Sequence, residues 1–92
     1  MDLMQLGRAA AEEVVGKGNV ERVEVAPGED ALERPAYQFS FIIDLVRADQ
    51  RPGLILSRLV QKLRDKLVEQ HDERTPIVRI TSLERVAQRP HA

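Results

Sequence analysis

Between Tyr37 and Val46 the chain alternates almost without a break. Tyr37, Phe39, Phe41, Ile43 and Leu45 fall on one side by the period of two of a strand, and Gln38, Ser40, Ile42, Asp44 and Val46 fall on the other. The only Tyr and both Phe of the chain stand on the same side. A strand over 36–46 is therefore expected to supply the bulk of the core, and its neighbours must cover that aromatic side.

The flanking segments supply the cover. Leu3, Leu6, Ala10 and Val14, with Met4, Ala11 and Val15 beside them, recur at helical spacing from Leu3 to Val15. Asp2 is placed as N-cap with Gln5 three residues on, and Gly16-Lys17-Gly18-Asn19 is a stop. Val23 and Val25 alternate with Arg22 and Glu24 in a strand expected over 20–26, closed by the turn residues Pro27-Gly28-Glu29-Asp30. A loop or single helical turn is expected over 31–34. After the central strand, Asp49 is the expected N-cap of a helix that takes Pro52 into its first turn and runs to about Gln70. Ile55, Leu56, Leu59, Val60, Leu63 and Leu67 form its apolar arc. A third strand is expected over Thr75–Ser82, and Ser82 is placed to cap a short turn through Leu83–Ala87.

The element order predicts an α+β two-layer sandwich, α-β-β-α-β, with a three-stranded mixed sheet and two helices on one face. Strands one and two should form a hairpin, and the helical crossover should make strands two and three parallel and right-handed. Order 1-2-3 is favoured, with 2-1-3 open. Residues 1–88 read as one domain and 89–92 as a frayed tail.

Composition narrows function more than motifs do. The chain has no Cys, so thiolate catalysis, disulfides and Cys-based zinc sites are excluded. Residues 1–11 hold Asp2 and Arg8 and no apolar run of leader length, and no stretch approaches the roughly 18 apolar residues of a membrane span. A cytoplasmic location is expected. His71 and His91 have no second ligand at a metal spacing, and Ser40, Ser57 and Ser82 lack a nucleophile setting. Gly16-Lys17-Gly18 follows a helix and precedes a strand, the reverse of a phosphate loop. No cofactor and no metal is expected.

Three functional readings follow. Two helices can cover only one face of the sheet, leaving Arg22, Ser40, Ile42, Asp44, Ile77, Arg79 and Thr81 on the other. That uncovered face, or an edge strand, is expected to meet a protein partner or a second copy in a non-enzymatic accessory protein. Charge suggests an alternative. Residues 1–46 hold four basic and nine acidic side chains, and residues 47–92 hold ten and six. The basic segment 47–66, through Arg51, Arg58, Lys62 and Lys66, could meet nucleic acid. Against it stand the slight net negative charge, −1, and the expected loss of every aromatic to the core. A third reading places a small-ligand or enzymatic site at Asp44, with Arg22 or Arg79 as its partner.

Overall fold

The computed structural model describes residues 2–87. Position 88, the expected tail 89–92 and with it His91 lie outside the described residues. The helix α1 spans Leu3–Val15, the strand β1 Val20–Glu29 and β2 Pro35–Ile43. A single helical turn α2 (Leu45–Ala48), the long helix α3 (Pro52–Glu69), the strand β3 (Thr75–Ser82) and the turn α4 (Leu83–Ala87) complete the order.

The sheet order is β1-β2-β3, with β1 antiparallel and β3 parallel to β2. The aromatic side of β2 is the core, since Phe39, Phe41 and Ile43 are almost fully buried and Tyr37 nearly so. Phe39 and Phe41 stack with centroids 6.2 Å apart, and Tyr37 meets Phe39 edge-on at 6.3 Å. Ile55, Leu59, Leu63 and Leu67, four residues apart, press α3 onto the sheet. α1 lies beside α3 on that same face, as expected for two helices over one layer.

Four local expectations are corrected. β2 ends at Ile43, not Val46, because Asp44 turns the chain into α2: its Oδ1 accepts the Arg47 N–H at 3.0 Å. β1 runs through Pro27 and Gly28 to Glu29, and the turn falls later. There Asp30 accepts the N–H groups of Leu32 and Arg34 at 2.8 and 3.0 Å, and Glu33 takes a positive φ. Pro27 is tolerated because β1 is an edge strand. Asp49 does not cap α3. It closes α2 in the left-handed conformation, and Arg51 stands at the α3 N-cap with no side-chain hydrogen bond there. Finally, α1 buries its small residues Gly7, Ala10 and Ala11 with Val15, while Leu3, Leu6 and Val14 are partly buried and Met4 is exposed. A Cβ on Gly7 would stand 3.0 Å from the Phe39 ring, so the helix needs its smallest residues over the aromatic stack.

Asp2 caps α1 through the Met4 and Gln5 N–H groups, and Ser82 Oγ accepts the Arg85 N–H at the start of α4, both as the sequence predicts.

Candidate functional site

The sheet face turned away from α1 and α3 assembles as three cross-strand rows. Arg22, Ile42 and Thr81 form one, Glu24, Ser40 and Arg79 the next, and Ala26, Gln38 and Ile77 the third. The structure thus brings together Arg22, Ser40, Ile42, Ile77, Arg79 and Thr81. Ser40, Ile42, Ile77 and Thr81 are half-buried, and Arg22 and Arg79 are exposed. The two isoleucines stand in different rows, with the polar Glu24–Ser40–Arg79 row between them, so the face carries no continuous apolar patch. Arg22 and Glu24 pair at 2.6 Å with both side chains more than half exposed. A pair of that kind contributes little to stability.

Asp44 is not on this face. Its carboxylate caps α2 and its N–H donates to the Asn19 carbonyl oxygen at 2.9 Å. The expected pairing with Arg22 or Arg79 does not form. The sequence signal was present, since Asp precedes a helical turn as readily as it interrupts a strand, but the alternation around it pointed to a longer strand.

The two sheet edges differ. β1 is guarded in several ways. It carries Pro27, an irregularity between Val20 and Arg22, and the charged residues Glu21, Arg22 and Glu24. Arg8 of α1 also donates to the Val20 carbonyl oxygen at 3.1 Å. β3 carries Pro76 near its start and a single charge, Arg79, and no described residue pairs with its outer side. Val78 and Ile80, on the core side of β3, are only half-buried. Such an edge is open to strand addition.

The basic segment divides. Lys66 pairs with Glu13 at 3.2 Å in the α1–α3 seam. Gln50 donates to the Val14 carbonyl oxygen at 2.8 Å and accepts from Arg58 at 3.2 Å, which ties the α2–α3 linker to the end of α1. Arg51, Arg58 and Lys62 are exposed along one side of α3, with Arg47 just before it, and no acidic residue occurs between 50 and 64. The three aromatics are all buried, as expected, so this surface has no aromatic for base stacking.

One polar cluster escaped the sequence reading. Tyr37 Oη donates to Asp72 Oδ2 at 2.7 Å and accepts from an Arg74 guanidinium N–H at 2.7 Å. That guanidinium also lies over the Tyr37 ring, 4.9 Å from its centroid. Asp72 Oδ1 accepts the Arg74 N–H at 3.0 Å. The cluster lines an open depression with Arg34 and His71. The hydrogen bond to Asp72, then burial, raises the Tyr37 pKa above its ordinary 10.0. The same bond is the largest cause holding the Asp72 carboxyl below its ordinary 3.8. A tyrosine used as a base needs the opposite shift. The arrangement is a clasp tying the α3–β3 connection to the start of β2. Its partners are 35 and 37 residues apart in sequence, which no local pattern reveals.

Among the described residues no group of three or more His, Asp or Glu could hold a metal ion, and no helix is long and apolar enough to cross a membrane. Comparison with known proteins finds no matching family model, no matching curated protein and no matching solved structure.

Proposed function

We propose that this chain works in the cytoplasm through protein contacts, without chemistry of its own, and that association with a second copy is part of its role. The observation that carries this reading is the open flank of the sheet at β3, where apolar side chains lie beside backbone that no described residue pairs. The lack of cysteine supports a reducing compartment. The test is sedimentation equilibrium across a wide concentration range. A mass rising toward twice that of the 10.4 kDa chain is expected. A mass that stays monomeric to millimolar concentration refutes self-association.

A second reading is favoured by one observation, the acid-free basic run from 50 to 64 at the start of α3. Arg51, Arg58 and Lys62 would meet the phosphates of a nucleic acid; Lys66, held by Glu13, drops out of the set first expected. Fluorescence anisotropy with a labelled oligonucleotide tests it. Binding should weaken with salt and be lost when Arg58→Glu is combined with Lys62→Glu. Absence of binding at low salt ends this reading.

A further inference from the structure

Two observations fix how α3 is rotated above the sheet. Lys66 reaches Glu13, so that flank faces α1. Arg64, Leu67 and Val68 line a depression with Thr75 and Pro76, so the opposite flank faces the β3 edge. At about 100° per residue, Leu56, Val60, Arg64 and Val68 follow one another along this outer flank. Val68 is 70% exposed and Leu56 40%, and Val60 is half-buried.

The flank runs in step with the strand beneath it. Four helical residues advance about 6 Å and two strand residues about 6.7 Å. With Arg64 and Val68 beside Pro76, the next positions back along α3, Val60 and Leu56, stand above Val78 and Ile80. Among the described residues, one side of the molecule therefore presents a helix flank carrying Leu56, Val60 and Val68, interrupted by Arg64, over an open strand edge, with half-covered side chains between the two layers.

We infer that this two-layer seam is closed by a second copy of the chain, β3 against β3 in antiparallel register about a two-fold axis at Val78, with the two α3 flanks packed above the joined sheet. This rests on the self-association reading and names its surface. A lone peptide strand would satisfy the edge and leave the helix flank in water. A symmetric copy supplies strand and helix at the matching height. A specific dimer needs roughly 1,200–2,000 Å² of buried surface, which calls for the helix layer as well as the eight-residue ladder. Charge selects the register. Of the two well-overlapped alignments, an axis at Arg79 sets that arginine against its own copy, a destabilising juxtaposition. An axis at Val78 sets Arg79 opposite the second copy's Ile77, Pro76 opposite Ile80 and Thr75 opposite Thr81. The isologous form closes on itself and leaves the guarded β1 edges outermost.

The Cys-free chain allows a direct test. Val78→Cys places one thiol on the axis, where directly opposed strand residues lie about 4.5–5.5 Å apart and a disulfide fits. Ile42→Cys reports on the open sheet face and Glu24→Cys on the β1 edge. Mild oxidation is expected to cross-link Val78→Cys at least tenfold faster than either control. In case Val78→Cys folds poorly, Leu56→Glu with Val68→Glu alters only exposed positions. It should raise the dimer dissociation constant at least tenfold while circular dichroism stays unchanged. A dimeric mass with preferential cross-linking at Ile42→Cys or Glu24→Cys, or with the α3 double variant still fully dimeric, overturns the seam and leaves self-association standing. A monomeric mass at all concentrations overturns both.

Discussion

Tyr37→Phe isolates the clasp from the core around it. The ring stays, with its edge-on contact to Phe39 and its place under the Arg74 guanidinium. What goes is one oxygen, which donates to Asp72 and accepts from Arg74, both at 2.7 Å. A hydrogen bond with a charged partner contributes about 1.5–3 kcal/mol, and water can repair part of the loss because Asp72 is half-buried and Arg74 exposed. The expected destabilisation is about 2 kcal/mol, or roughly 8–16 °C in Tm for a domain of this size. Urea unfolding should show a lower midpoint with the slope unchanged, since the buried surface is the same. Titration sharpens the test. The Asp72 pKa is lowered in the fold, so its contribution is complete above the unfolded value and fades as pH falls below 3.8. The Tyr37 pKa is raised, so the neutral phenol's contribution is complete below 10.0 and is lost as pH climbs past it. The stability gap between wild type and variant should form a plateau between these limits and narrow on both sides. A gap under about 0.5 kcal/mol at neutral pH, of the size of an ordinary surface change, would refute the clasp.

Two further substitutions probe the placement of the helices and of Asp44. Gly7→Ala should lower Tm even though alanine favours a helix by about 1 kcal/mol over glycine. Its Cβ meets Phe39 Cδ1 at 3.0 Å and Val23 Cγ1 at 3.2 Å, and Phe39, stacked on Phe41 and fully buried, has no room to yield. The net cost is expected at about 1 kcal/mol by thermal unfolding, and a rise in Tm would show that the α1–sheet contact is looser than the geometry implies. Asp44→Ala removes the α2 cap and should cost about 1 kcal/mol. It should leave the association constant from sedimentation unchanged, whereas a shifted constant would return Asp44 to the interaction surface.

Much of the fold is written locally. The alternation through Phe39, Phe41 and Ile43 identifies the core side of β2, and the four-residue repeat of Ile55, Leu59, Leu63 and Leu67 identifies the buried side of α3. Both periods are properties of the backbone itself, so they survive without knowledge of neighbours. The element order then sets the parallel and antiparallel pairings and leaves one sheet face uncovered. Six of the seven residues expected on that face are there. The seventh, Asp44, was misplaced because helix capping and strand continuation compete for the same residue. The backbone hydrogen bond from Asp44 to Asn19, in the connection between α1 and β1, accompanies the switch to a cap.

The surfaces that bear on function needed the tertiary structure. Which cations of the 47–66 segment stay free depends on Glu13, far away in sequence, taking Lys66. The clasp joins Tyr37 to residues more than thirty positions on. The contrast between a guarded β1 edge and an open β3 edge exists only once the strand order makes both of them edges. The sequence alone determined the buried side of β2 and the main buried row of α3, because burial there follows each element's own period. Only the assembled sheet decided which polar groups meet and which edge is left open, because those depend on neighbours supplied by distant parts of the chain.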